Sequence, residues 1–424
     1  MEYDVVVIGG GAAGMMAAGR AGELGARVLL AEKNKDLGIK LLTTGNGRCN
    51  FTNKKHGPKE FTRRFGKNGK FLFSALHQFG TDDAVNFFER HGVKAKVEDE
   101  GKVFPVSDKA GDILNALIAY LKRGKVVVKT GVEVKKINKE DSSIKKIVLA
   151  DGSEIAARNY VLSTGGKSCP KTGSTGDGYK WARELGHTII EPKPALTSIV
   201  LKDRYIKSLQ GLSFSKVKIS VFKQNKKLHS ISGDILFTNN GLSGPAIMNI
   251  SREIAREDTR DISLKIDFFP DQEFSNFDRC LQESFNKEPN KLLKNILPSL
   301  IPPRLVDAIL KLAGINPQKK ANEVTKDERK KLAHLLKELN LSVSSLSGFD
   351  RAYITSGGVS LAEIDPGTMR SKIIKNLYFA GEILDLDGPT GGYNLQAAWT
   401  TGFVAGSKAV KSQQQNSMRK RRIE

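Results

Sequence analysis

An α/β fold, built as a Rossmann-like domain interrupted by an insert, follows from three observations. The first 32 residues alternate strand, helix and strand; a G-x-G-x-x-G run joins the first strand to the helix; and strand-to-glycine patterns recur near residues 162 and 380, with a stretch of different character between them.

The elements follow in order. Residues 3–8 are an apolar run that reads as a buried strand, 12–24 have helical composition, and 27–31 read as a second buried strand. A polar, Gly-rich loop fills 33–60. Residues 71–79 and 81–90 read as helices, the second starting at a Thr cap, and a hairpin with Gly101 near its turn follows. A helix at 112–121 precedes strands at 126–129, 132–137, 144–149 and 160–163, punctuated by Gly124, Gly131 and the Asp151-Gly152 turn. From 191 the character changes: Pro192 and Pro194 interrupt the chain, and 217–222, 228–231 and 262–266 read as strands of a separate β-unit. Residues 273–339 are helical in pattern, broken at Pro289, Pro298, Pro302, Pro303 and Pro317. A buried strand at 377–380 and an Ala-rich helix at 393–409, introduced by Gly391 and Gly392, return to the first domain. The expected organisation is a dinucleotide-binding domain over 1–190 and 351–410, a β-rich insert over 191–270, a helical insert over 271–350, and a basic disordered tail over 411–424.

Composition bounds the function. With 424 residues, 39% apolar and 27% charged, the chain is long enough for a large core and excludes a disulfide-stapled miniprotein or a disordered polymer. Cys49, Cys169 and Cys280 are odd in number and widely spaced, which fits a reducing compartment. The start of the chain lacks the pattern of a signal peptide and no apolar run is long enough to span a bilayer, so a cytoplasmic protein with no membrane partner is expected. His77, His91, His187, His229 and His334 are scattered without ligand spacing, so no metal site is expected. No Ser/His/Asp signature for hydrolysis is visible. Lys and Arg outnumber Asp and Glu by 68 to 46, a net charge of +22 that points to an anionic partner. Seven basic residues against one acidic fall in 54–70, and eight against one in 201–228. Phe51, Phe61, Phe65 and Phe71 interleave with the first cluster and read as core more readily than as base-stacking rings.

The fingerprint Gly9-Gly10-Gly11-Ala12-Ala13-Gly14 has the required strand and helix on either side. Gly9 permits the tight turn, Gly11 lets the backbone approach a pyrophosphate, and Gly14 allows helix and strand to pack closely. Glu32 ends the second strand, where a carboxylate accepts hydrogen bonds from an adenosine ribose. Ser163-Thr164-Gly165-Gly166, Ala380-Gly381-Glu382 and the helix start at Gly391-Gly392-Tyr393-Asn394-Leu395 supply further approaches to one dinucleotide, and a glycine-led helix N-terminus suits the negative charge of a reduced flavin.

On these residues the sequence resembles the BaiN/RdsA-type (YhiN-like) family of FAD-dependent NAD(P)H oxidoreductases over nearly the whole chain. The motifs are V-V-I-G-G-G-A-A-G at 6–14, T-T-G-N-G-R-C-N-F-T-N at 43–53, S-T-G-G-K-S-C-P-K-T-G-S-T-G-D-G-Y at 163–179, T-S-G-G-V at 355–359 and A-G-E-I-L-D-L-D-G-P-T-G-G-Y-N-L-Q at 380–396. The resemblance implies a GR2-type flavoprotein whose FAD domain is split by an insert with a β-barrel-like part and a helical part. It implies FAD held by Gly9, Gly11, Ala12, Ala13, Gly14, Glu32, Lys33, Lys40, Thr44, Gly45, Gly47, Arg48, Cys49, Asn50, Val134, Thr164, Gly165, Gly166, Gly358, Gly381, Glu382, Gly391, Gly392, Tyr393, Asn394 and Leu395. In similar enzymes the 43–53 loop runs beside the flavin, which makes Cys49 a candidate proton donor and Arg48 a candidate catalytic cation; a space-filling thiol and a structural ion pair are the competing readings. A second complete G-x-G-x-x-G is missing, so NADH or NADPH would dock transiently. Family members reduce conjugated double bonds in small molecules, oxidise amines, or make dihydrouridine in large-subunit ribosomal RNA. The charge favours the last, with ribosomal RNA or its assembly intermediate as partner. A small-molecule ene-reductase or amine oxidase and a non-catalytic RNA-binding flavoprotein are the alternatives.

Overall fold

A computed structural model describes residues 3–257 and 261–420, with side chains as far as 411. The chain divides into two compact units, Met1–Pro194 with Tyr353–Glu424, and Ala195–Ala352.

The first unit is organised by a parallel sheet of β1 (Tyr3–Ile8), β2 (Val28–Ala31), β3 (Val127–Lys129), β4 (Ala157–Leu162) and β5 (Leu377–Phe379), in the order β5-β4-β1-β2-β3. Val5, Val6, Val7, Leu29, Leu30, Val161 and Leu162 are buried, as expected of strands covered on both faces. The register aligns Ile8 with both Ala31 and Leu162, and Leu162 with Phe379, so four strands end level at one edge. That edge carries the site. Helix α1 (Ala12–Glu23) follows β1 directly, α2 (Ala110–Arg123) packs beside it, and α3 (Tyr393–Lys420) lies along α1. A Cβ at Gly402 would overlap the Ala13 carbonyl and one at Gly406 the Ala17 carbonyl, so these glycines set the close approach of α3 to α1. The stretch expected as a disordered tail from 411 is helical as far as Lys420. It holds Gln, Lys and Met and no Gly or Pro, so nothing in its composition stops the helix. Residues 421–424 of that expectation lie outside the described residues.

The second unit is a closed six-stranded barrel, in the order Ile199–Leu201, Gly241–Ser243, Lys226–Thr238, Ser213–Lys223, Ile262–Asp267 and Leu339–Leu346, with the first and last strands paired. Between the fifth and sixth strands the chain forms helices Phe274–Lys287, Leu293–Ile296, Pro303–Ala313 and Lys326–Lys337, which share the barrel's hydrophobic core. Two elements depart from the sequence expectation. The helix Pro245–Ala255 interrupts the β-rich stretch, and the closing strand Leu339–Leu346 falls inside the stretch assigned to helices. The alternation L-N-L-S-V in that strand is the period-two signal that separates it from the helical pattern before it. Among the described residues no helix is long and apolar enough to cross a membrane.

Candidate functional site

A cleft in the first unit opens at the carboxyl edge of the parallel sheet, where open α/β sheets bind their ligands. Its floor is the turn from β1 to α1. Gly9 has φ +104°, and a Cβ there would lie 2.6 Å from the Ser163 carbonyl oxygen; a Cβ on Gly14 would overlap the Gly9 carbonyl. Gly11 has nothing within 4 Å of its Cβ position and borders the cleft with Ala12 and Ala13. Gly11 is also the N-cap of α1, with no side-chain cap and no acidic residue in the first turn. The cleft therefore meets the positive end of a helix whose amides lack an internal anion.

Glu32, 8% exposed, borders the same space. Its two carboxylate oxygens accept hydrogen bonds from the Gly10 amide at 2.6 Å and the Asn34 amide at 2.8 Å, which fix the carboxylate and leave further lone pairs for a hydroxyl. Lys33 Nζ donates to Thr175 Oγ1 and Asp177 Oδ2, each at 2.5 Å, and Asn34 Nδ2 to the Thr172 carbonyl at 3.1 Å. The loop after β4 is thus strapped to the end of β2. Across the cleft, Lys40 Nζ donates to Glu382 Oε2 at 2.7 Å and to Ser168 Oγ at 2.9 Å, while Glu382 Oε1 accepts from the Thr355 amide at 2.8 Å. Thr44, Val134, Thr164, Gly165, Gly381, Asn394 and Leu395 complete the lining predicted from sequence. The Thr164 hydroxyl is buried with no hydrogen-bond partner among the described residues. A buried polar atom without a partner is costly, and this one is sealed from the cleft, facing the Gly178 position, where a Cβ would lie 2.1 Å from it.

Arg48 and Cys49 are corrected by the structure. Neither borders the cleft. Arg48 is paired with Glu98 and Asp108, and its guanidinium stacks 4.1 Å from the Phe104 ring centroid, so it ties the 44–49 loop to the hairpin behind it. Its own basicity is raised, foremost by the Glu98 hydrogen bond. Cys49 is fully buried in the hydrophobic core; burial pushes its thiol up to about 12 although a hydrogen bond with Thr44 acts the other way. A thiol so placed fills space in the core and is held in its neutral form.

The remaining predicted contacts that do not line the cleft shape the walls behind it. Asn50 accepts a hydrogen bond from the Val103 amide at 3.2 Å, and the Gly391 carbonyl accepts one from Asn53 at 2.9 Å. A Cβ on Gly166 would overlap Thr355, one on Gly392 the Thr52 carbonyl, and one on Gly358 would lie 2.6 Å from the Ile383 carbonyl. Tyr393 packs on Phe61, with ring centroids 4.9 Å apart. Gly45 and Gly47 carry the left-handed turns of the 44–49 loop. Sequence reasoning missed Asn34, Ile39, Leu41 and Tyr353 as lining residues. Asn34, two positions beyond the strand-ending acid, had a signal in its place; Ile39 and Leu41 fell inside the stretch read as a polar, Gly-rich loop. Among the described residues no group of three or more metal-ligating side chains is assembled.

An uncapped helix end and a fixed carboxylate along one cleft suit a dinucleotide such as FAD. Comparisons with known proteins agree. Residues 3–408 match the family model described as HI0933-like protein Rossmann domain. The chain is 32% identical over 409 residues to the 3-dehydro-bile acid delta(4,6)-reductase of Clostridium scindens and 31% identical over 409 residues to the ribosomal RNA dihydrouridine synthase of Escherichia coli, covering 96% of this chain and 98% of each relative. In fold it resembles the 3-ketosteroid-delta4-(5alpha)-dehydrogenase of Rhodococcus jostii RHA1, with a TM-score of 0.53 at 16% identity, covering 96% of each chain. It resembles the 3-ketosteroid delta1-dehydrogenase of Sterolibacterium denitrificans equally, with a TM-score of 0.53 at 14% identity over 97% of this chain and 99% of that one. The chain belongs to the HI0933-like Rossmann-domain family and is an FAD-dependent oxidoreductase.

Proposed function

We propose that this oxidoreductase reduces a conjugated C=C bond, that its substrate is uridine in large-subunit ribosomal RNA, and that NADH or NADPH is the hydride donor. Bound FAD supplies the two-electron reduction. The residues of the chain hold the dinucleotide at the sheet edge, and the cleft-lining side chains that carry a transferable proton, Lys40 and Tyr353 among them, replace Cys49 as candidates for protonating the product. Lys40, already oriented by Glu382 and Ser168, is the better fixed in place of the two.

The observation that carries the RNA reading is the net charge of +22. A small apolar substrate needs no such field, whereas a polyanion is drawn by it and releases counterions on binding. The relative of Escherichia coli, named for ribosomal RNA dihydrouridine, supports the same reading. Mapping dihydrouridine in large-subunit ribosomal RNA from cells lacking the gene tests it: one position loses the modification, and an unchanged map refutes the proposal. A second reading, reduction of an unsaturated small molecule, is favoured by the bile-acid relative at 32% identity. Anaerobic reoxidation of the reduced enzyme separates the two, since an unsaturated ketosteroid but not RNA would restore the flavin absorbance under the second.

A further inference from the structure

The segment 59–73 of the first unit is a bent pair of short helical pieces, Pro58–Arg63 and Gly66–Leu72, running into Phe73–Leu76. Its two faces differ completely. Phe61, Phe65 and Leu72 are fully buried, Thr62 and Gly69 are buried with them, and a Cβ on Gly69 would overlap the Thr62 carbonyl. The two pieces are therefore locked backbone to backbone. Every basic residue of the segment, Lys59, Arg63, Arg64, Lys67 and Lys70, falls on the exposed face. Arg63 is paired with Glu60 at 2.8 Å and Arg64 contacts His56 at 2.7 Å, while Lys59, Lys67 and Lys70 enter no ion pair among the described residues.

This face is fixed to the rim of the cleft. Asn68 donates to the backbone carbonyl of Asp385 at 2.7 Å and to its carboxylate at 2.8 Å, one residue from cleft-lining Leu386. Phe61 and Phe65 both pack on Tyr393, next to cleft-lining Asn394. Of the aromatic rings that interleave with the charges in sequence, Phe51, Phe61 and Phe65 are core and Phe71 is partly buried against it. The exception lies at the end of the segment: Phe73 is 44% exposed, edge-on to His77 with centroids 4.7 Å apart.

We infer that residues 59–73 form a docking face for single-stranded RNA, with the lysines and arginines on phosphates and Phe73 stacking on one unpaired base. This inference deepens the RNA reading of the function and rests on it. A rigid row of cations ending in one exposed ring, beside a cleft that must receive a base out of its stack, suits a looped polynucleotide. A membrane surface is less well matched, because the face offers a single apolar side chain and no apolar stripe to insert.

The experiment uses the FAD-loaded protein and a fluorescein-labelled oligouridylate, read by anisotropy across a salt series. The variant K59E/R63E/K67E/K70E is expected to lose at least about tenfold in affinity and to flatten the dependence of log K on log salt by about 3, at roughly 0.7 for each phosphate that the variant no longer neutralises. Phe73→Ala is expected to lose about fivefold or more with the salt slope unchanged, since stacking releases no counterions. Flavin content and the visible spectrum of both variants should match the parent, which shows that they are folded. If the parent binds RNA and the charge variant binds it equally well with the same slope, the docking face is wrong while the functional reading stands. If the parent binds no RNA, the RNA reading of the function fails and this inference with it. Binding of the parent to phosphatidylglycerol vesicles in place of the oligonucleotide would overturn the choice of partner.

Discussion

The β1–α1 turn and the 44–49 loop are both glycine-rich, both follow a structured element, and both were expected at the cofactor, yet the turn lines the cleft with its glycines while the loop contributes Thr44 alone. At the turn, the backbone itself is the functional part: Gly9, Gly11 and the helix amides face the ligand space, and their placement follows from steric rules that act over a few residues. In the loop the functional part would have to be side chains, and their direction depends on left-handed backbone at Asn46 (φ 56°) and Cys49 (φ 60°). Those turns aim Cys49 into the core and leave Arg48 to the Glu98 and Asp108 carboxylates. Backbone-borne function is legible locally; side-chain function waits on the tertiary partner.

The largest effect expected from that difference is at Gly14. Any side chain there collides with the Gly9 carbonyl, so Gly14→Val should yield protein with essentially no bound flavin, measured as the ratio of absorbance at the flavin band to that of the protein. Retention of stoichiometric FAD would break the comparison at its stronger end. Glu32→Ala comes next. It removes the acceptor of the Gly10 and Asn34 amides as well as the contact to a ribose, and FAD affinity should fall by about 10–100-fold in a fluorescence titration.

The same contrast explains what the sequence made visible. Gly9 to Gly14, Glu32, Thr164-Gly165 and Gly381-Glu382 were found because each sits where a buried strand runs out, and the level ends of β1, β2, β4 and β5 bring them to one edge. Gly166, Gly358 and Gly392 carry the same sequence signal, and their missing side chains make room for Thr355, Ile383 and Thr52 of this chain. A glycine reports close approach without saying of what. Strand Leu339–Leu346 was hidden by four preceding helices, since its partner strands, Ile262–Asp267 and Ile199–Leu201, both lie before those helices in the chain. Tyr353 borders the cleft two residues before the T-S-G-G-V motif at 355–359, which marked the return from the insert but not this side chain.

Thr164→Val sharpens the comparison at an intermediate scale. Its hydroxyl has no partner within the described protein, so replacing it by a methyl group should leave apo stability unchanged or raise it by up to about 1 kcal/mol in a denaturant melt. FAD affinity should stay within about twofold, because the hydroxyl faces Gly178 and is sealed from the cleft. A roughly tenfold loss of FAD affinity with apo stability unchanged would put the hydroxyl at the cofactor.

The smallest effect on catalysis is expected at the residue that looked most reactive. Cys49 is fully buried, and its thiol lies near 12 against an ordinary value of 9.0. Cys49→Ala should therefore keep turnover within about twofold and leave the pH–rate profile in place, while stability falls by about 1–2 kcal/mol through the cavity left behind. The stability difference carries its own pH signature. A thiol whose folded value is raised contributes fully below the unfolded value and loses that contribution as pH climbs toward the folded one. The advantage of the parent over Cys49→Ala should then shrink from pH 9.0 upward, because only the unfolded chain ionises there. A hundredfold drop in turnover, or loss of the alkaline limb of the rate profile in Cys49→Ala, would return the 44–49 loop to the reaction and erase the distinction between backbone-borne and side-chain-borne function in this enzyme.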